Sequence, residues 1–193
     1  MATRVSFGGT IYLQIDASDF FAKVEYCRQF MSKGNFTRII NRTFNEIGHR
    51  LPTPIAQEIQ KEYVVTQAWV KGSMGAPQIG DMEIRVPIGS HKGSIGGRFP
   101  ARGLKNGRVS ANIVRSGVSI LPQRMTHQGG NPPFMTGGVC MTRRKASRQP
   151  IVSVKGLAVP HMPLNRAAGG VQDAILDIAE KRLMHNISFM FGR

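Results

Sequence analysis

Phe20, Val24, Cys27 and Met31 recur at steps of three and four, and beyond Gly34 and Asn35 the same step carries Phe36, Ile40, Phe44, Ile47 and Leu51. Such spacing gathers each set on one side of a helix and predicts two amphipathic helices. Ahead of them "TIYLQI" at 10–15 reads as a short strand, with Asp16 and Ser18 as candidate helix caps at its exit. Pro52 ends the second helix. Thr53 is expected to cap a third, with Pro54 at its first position and Ile55, Ile59 and Tyr63 along one face. A helical part is expected over 18–70.

The period then changes. From "DMEIRVPIGS" at 81–90, through "RVSANIVRSGVSILP" at 108–122, to "RQPIVSVKGLAVP" at 148–160, short apolar runs are separated by glycine, and "NGR" and "RSGV" read as turns. The helical step returns from 165 onward, where Val171, Ile175, Ala179, Leu183 and Ile187 descend one side and Asp173, Asp177 and Glu180 the other. Strand, helices, strands and a final helix form an α+β order, not an alternating one. The expectation is one domain over 1–193, with a helical part (18–70), a basic β part (81–160) and a C-terminal helix (165–193). The N-terminal helices and the long last helix would pack on a mainly antiparallel, basic, glycine-rich sheet.

Charge sharpens this division. The chain carries 26 Lys plus Arg against 11 Asp plus Glu, a net +15. Residues 84–172 contain no acidic residue, yet they hold 14 of the cations and 14 of the 22 glycines. A field of one sign concentrated in one region speaks of a polyanionic partner more than of fold. The densest block is "MTRRKASRQPIVSVKGLAVPHM" at 141–162, where Arg143, Arg144, Lys145 and Arg148 precede an apolar run, Ile151 to Val159. That run is expected to be one strand locked under the terminal helix, with Pro160 and Pro163 turning the chain between them. A turn fixed in this way would present Arg143, Arg144, Lys145 and Arg148, with Arg115 and Arg124, to phosphates.

Catalytic patterns are weak. "GAPQIGDM" at 75–82 has the glycine spacing of a phosphate loop, but Asp81 stands where a lysine is needed, so it reads as a linker turn. "HKGSIGGRFPARG" at 91–103 offers backbone amides to a phosphate but lacks a strand-turn-helix context and reads as a mobile loop. Cys27 and Cys140 have no ligand-like spacing to a histidine, which speaks against a disulfide framework or zinc site and for a reducing compartment. The five histidines are scattered. Asp173, Asp177 and Glu180 read as a solvated helix face, with Lys181 one turn beyond Asp177. The expectation is a protein that is not an enzyme, with no cofactor and no metal. No charged leader precedes an apolar run, and no apolar run approaches the ~20 residues that span a bilayer, so neither export by a signal peptide nor a membrane is expected. A helix, break and second helix at 53–74, around Trp69, invite comparison with a helix-turn-helix, but the break lacks the usual glycine and the second helix offers only Lys71 as a cation.

Two stretches carry a resemblance. "FTRIINRTFNEIGHRLPTPIAQEIQKEYVV" at 36–65, with Asn41, Arg42 and Thr43 inside its helix and Glu62-Tyr63 further on, resembles the N-terminal helical region of the minor tail protein Z family of tailed phages. "PPFMTGGVCMTRRKASRQPIVSVKGLAVPHM" at 132–162 is similar to that family's C-terminal strand pair: a Phe, a basic turn, Arg148 before Pro150-Ile151, then Gly156 and Pro160 in Gly-x-x-x-Pro spacing. A terminal helix ending in "RLMHNISFMFGR" completes it. Residues 71–107 depart from the family, being glycine-rich where a more helical basic run belongs. The resemblance implies a virion structural protein, assembled in the bacterial host cytoplasm, that completes the head-proximal end of the tail at the neck. It implies a homo-oligomeric ring, six copies being expected, with tail terminator, tail tube or head-tail connector proteins as neighbours. Packaged DNA would be held non-specifically. The alternative is a stand-alone nucleic-acid-binding protein, a regulator or nucleoid-type module.

Overall fold

The computed structural model of the chain describes residues 2–7, 10–80, 82–90, 92–105, 107–122, 131–144 and 150–191, and for residues 2–7 and 10 the backbone alone. β1 (Ala2–Phe7), β2 (Thr10–Asp16), β3 (Gln78–Gly80) and β4 (Glu83–Ile88) form an antiparallel sheet in the order β1-β2-β4-β3. Its register sets Leu13 opposite Val86 and Ile15 opposite Ile84. All four are buried, so the period-two stripes of two strands merge into one wall of the core. The 75–82 stretch, expected as a linker turn, supplies β3 to this sheet, while Asp81 lies outside the described residues.

The helices are α1 (Ser18–Arg28), α2 (Lys33–Arg50), α3 (Pro52–Glu62), α4 (Gln67–Gly72) and α5 (Ala168–Met190). At the first, the Asp16 carboxylate accepts the Ser18 amide at 3.0 Å. Thr53 is not a cap. Leu51, helical in backbone, closes α2 through its amide to the Ile47 carbonyl and opens α3 by accepting the Ile55 amide, so Pro52 takes the first position, where a missing N–H costs nothing. The buried face of α2 centres on Ile39, Thr43 and Ile47, with the expected stripe of Phe36, Ile40 and Phe44 half-buried beside it. On α5 the expected row Val171, Ile175, Ala179, Leu183 is buried and continues to Asn186, not to Ile187.

The remaining strands among the described residues form three small antiparallel sheets. β6 (Ala101–Gly103), β7 (Val109–Val114) and β8 (Gly117–Ile120) form one, in the order β6-β7-β8. β5 (Lys92–Ser94) pairs with β12 (Lys155–Ala158). β9 (Phe134–Thr136), β10 (Val139–Arg143) and β11 (Ile151–Ser153) form the third, with β10 central. The chain is an α+β fold, but the basic region is not one sheet. Nor is 151–159 one strand under the terminal helix: it changes sheets at Val154, whose amide donates to the Cys140 carbonyl and whose carbonyl accepts the Ile95 amide. Ile151 is 41% exposed. The main packing partners of α5 are α2 and α3, with α1 beside them.

Helical and β parts are sewn together where α3 ends. The Val64 amide donates to the Ile113 carbonyl at 2.9 Å and the Arg115 amide to the Glu62 carbonyl at 2.8 Å, while Tyr63, buried, bridges to Val114. No helix among the described residues is long and apolar enough to cross a membrane.

Candidate phosphate-binding groove

The described cations of the acid-free stretch 84–172 are carried mainly by the strands and turns of the β part, whereas most of the acids lie in the helices. The ion pairs Lys23–Glu180, Arg42–Glu46, Lys61–Glu58, Lys181–Asp177 and Arg182–Glu46 all lie among the helices. In the β part Arg85 pairs with Glu83 on β4. Lys92, Arg98, Arg102, Lys105, Arg143, Arg144, Lys155 and Arg166 are exposed on a region without acids of its own.

Three of them meet in an open groove of about 470 Å³ between α4 and the β5–β12 pair, lined by Lys92, Arg98 and Lys155 with Trp69, Ser73 and Ser94. Strand pairing sets Lys155 opposite Ser94. α4 brings Trp69, its turn fixed by Thr66, whose hydroxyl accepts the Trp69 amide at 3.4 Å. The indole stands edge-on to Phe99, with centroids 5.7 Å apart and planes at 84°, and the Arg98 guanidinium lies 5.7 Å from the indole centroid. Phe99 is wholly buried and packs behind Trp69 and Gly93.

Glycine makes this close packing possible. A Cβ on Gly93 would stand 2.7 Å from the Trp69 ring, and one on Gly156 would stand 2.7 Å from the Phe99 ring. Gly96, at φ +89°, would drive a Cβ to 2.3 Å from the Gly138 carbonyl oxygen, so no side chain fits the turn between Ser94 and Arg98. Of the stretch 91–103, expected as a mobile loop, residues 92–103 are thus a strand, a tight turn with buried Ile95 and Phe99, and a second strand, while His91 lies outside the described residues. The groove offers two ammonium groups, a guanidinium and hydroxyls, and among the described residues its lining contains no carboxylate. That donor set suits phosphate oxygens.

The residues expected to face phosphates are dispersed. Arg143 ends β10, its guanidinium 5.2 Å from the Phe134 centroid and its carbonyl accepting the Asn131 side-chain amide at 2.7 Å. The Arg144 amide donates to the Pro150 carbonyl at 3.1 Å. Both side chains are exposed, at the foot of a turn whose Lys145 and Arg148 lie outside the described residues, as does Arg124. Arg115 is turned toward α3, where its Nε donates to the Gln60 carbonyl at 2.5 Å and closes the end of that helix. Of the family-motif positions, Asn41 is exposed on α2, and Arg42 pairs with Glu46 beneath the Phe189 ring. Tyr63 and Pro160 are buried, Pro150 and Ile151 are exposed, and Gly156 rests on Phe99. Among the described residues no group of three or more His, Cys, Asp or Glu is placed to hold a metal.

Lys92, Arg98, Lys155 and Trp69 were not singled out by sequence reasoning as phosphate-facing. The signal was the Lys-Gly-Ser-x-Gly-Gly-Arg run at 92–98 within a segment whose amides could address a phosphate. No protein-family model, curated protein or solved structure matches this chain.

Proposed function

We propose that the protein is a structural component of a tailed-phage virion, completing the head-proximal end of the tail as a homo-oligomeric ring around the DNA channel. The observation that carries the reading is the separation of charge: ion pairs concentrate in the helical layer, while the acid-free stretch 84–172 presents exposed cations. Duplex DNA carries one phosphate charge per ~1.7 Å of axis, and a channel wall that holds it needs fixed cations more than base-reading side chains. The resemblance of 36–65 and 132–162 to the minor tail protein Z family supports the same assignment, with tail terminator, tail tube or connector proteins as neighbours.

A second copy of the chain has a surface to meet. β8 is the edge of its sheet, all four of its residues are exposed, and Val118 and Ile120 are among them. An apolar open edge of this kind pairs with another chain unless something covers it. A helix-turn-helix reading finds less support, because α4 has six residues, Lys71 donates to Thr53 and Trp69 packs into the groove.

The deciding experiment is negative-stain microscopy of the purified protein together with a search for it in purified particles. Rings, and presence in the particle, support the proposal. A monomer or dimer that binds DNA with sequence selectivity overturns it in favour of a regulator-type module.

A further inference from the structure

We propose that the groove between α4 and the β5–β12 pair is a seat for one backbone phosphate group of duplex DNA, an inference that rests on the DNA-facing part of the reading above. Several independent features converge there. Strand pairing and the Gly96 turn bring Lys92, Arg98 and Lys155 to one concavity from separate parts of the chain. Its wall is packed from behind, since the buried Phe99 meets Trp69 edge-on and lies close against Gly93 and Gly156. Its volume, about 470 Å³, accommodates a phosphate with its flanking sugar atoms. Arg98 is held near the indole face, an arrangement that keeps a guanidinium oriented without neutralising it.

Phosphate fits better than a carboxylate-bearing peptide for a reason of geometry. Two point-like ammonium groups and one planar fork line the groove, a donor set that suits a tetrahedral phosphodiester, whose oxygens are directed apart; a carboxylate presents two oxygens in one plane. Hydroxyls of Ser73 and Ser94 line the same space. The Ser73 hydroxyl donates to the Trp69 carbonyl at 2.9 Å, so its proton is already committed, and the charge is left to the three cations. A phosphate held this way is bound without regard to base sequence.

Trp69 is the chain's one tryptophan, so indole emission reports on this groove alone. The experiment titrates the full chain, at low and rising salt, with duplex DNA of random sequence and separately with inorganic phosphate. It compares the natural protein with Lys92→Gln/Lys155→Gln, with the charge-keeping pair Lys92→Arg/Lys155→Arg, and with Lys33→Gln/Arg38→Gln, which removes the same charge from the exposed side of α2. Arg98 is left in place because its removal would itself alter the indole signal.

The expected result is a change in Trp69 emission on adding DNA and binding roughly tenfold weaker in the Lys92/Lys155 glutamine pair, with a log–log salt slope lower by about one. The arginine pair and the α2 pair should bind as the natural protein does. DNA binding that leaves Trp69 unchanged and is equal in both glutamine pairs overturns the groove while leaving the DNA channel standing. A Trp69 response to inorganic phosphate with no retention of DNA overturns the DNA source and the channel wall together; the same response with DNA retained elsewhere overturns the DNA source of the groove alone. No response to either, with no retention of DNA, also overturns both.

Discussion

Asn186 donates its side-chain amide to the Thr43 hydroxyl at 3.1 Å, across the seam between α5 and α2, with both residues buried. Among the described residues the Asn186 carbonyl oxygen has no hydrogen-bond partner. The pair is therefore a half-satisfied buried polar contact, with Glu46 at its edge, where removal of one partner is felt more than the net worth of the bond. Thr43→Val is expected to lower stability by about 1–2 kcal/mol, read as a fall in Tm. Thr43→Val/Asn186→Leu should recover most of that loss. A double-mutant cycle without coupling would mean that the two side chains do not act together.

Glu46 sits at the edge of the same seam. Burial pushes its carboxyl upward, but hydrogen bonds from Arg42 and Asn186 and the charges of Arg42 and Arg182 outweigh that, and the net displacement is below the usual carboxylate value. A carboxyl whose folded pKa is depressed contributes stability above its unfolded pKa and loses it as pH falls through the folded one. Stability should therefore decline on the acid side of the ordinary glutamate value of 4.5. Glu46→Gln should flatten that part of the pH profile in thermal melts, and an unchanged profile would remove Glu46 from the acid response.

Glycines divide into those that fill a need and those that do not. Gly156→Ala drives a Cβ into the Phe99 ring and should cost about 1–3 kcal/mol, with a shift in Trp69 emission as Phe99 moves. Gly48→Ala meets nothing within 4 Å in the interior of α2 and should gain up to about 1 kcal/mol through helix propensity. Equal effects at the two sites would contradict the packing described around Phe99.

Cys140 is buried and burial pushes its thiol up to about 11, whereas Cys27 is partly exposed, its thiol also raised by burial. A thiol-modifying reagent at neutral pH should label one cysteine in the native protein and both after unfolding, because the thiolate is the reactive form. Between the ordinary thiol value of 9.0 and about 11 only the unfolded Cys140 ionises, so it costs stability across that window. Rapid labelling of both thiols in the native state would contradict the burial.

The basic turn is open to a charge test. Replacing Arg143, Arg144, Lys145 and Arg148 by Gln should weaken retention of duplex DNA and lower the salt slope by roughly one for each phosphate no longer neutralised, without unfolding the protein. Unfolding of the variant would make the cluster structural, which the Arg143 packing on Phe134 keeps in view.

Helices were legible where a face is wide and continuous. The row from Val171 to Leu183 and the face of Ile55, Ile59 and Tyr63 are buried as their spacing requires. The centre of the α2 face falls one residue away from the expected stripe, because Thr43 carries no hydrophobic signal and is nevertheless the residue that meets Asn186. Three-residue strands such as β3, β5 and β11 are too short to show a period, and their pairing is decided by partners elsewhere in the chain. The change of sheet at Val154 left no local mark for the same reason. The groove was hidden more deeply. Lys92 and Lys155 become neighbours only through the β5–β12 register, and Trp69 reaches them from a helix. Arg115 shows the reverse error, a cation expected at phosphates whose guanidinium closes α3.

The stitches at Val64–Ile113 and Glu62–Arg115 bind the cationic sheets to the helices at fixed distances. Like charges so held cannot drift apart, and within a Debye length of about 10 Å at 0.1 M salt they repel one another in the folded protein more than in the expanded chain. The native state therefore carries an internal pressure that mobile ions relieve. Added salt should firm the protein itself while loosening its hold on a polyanion.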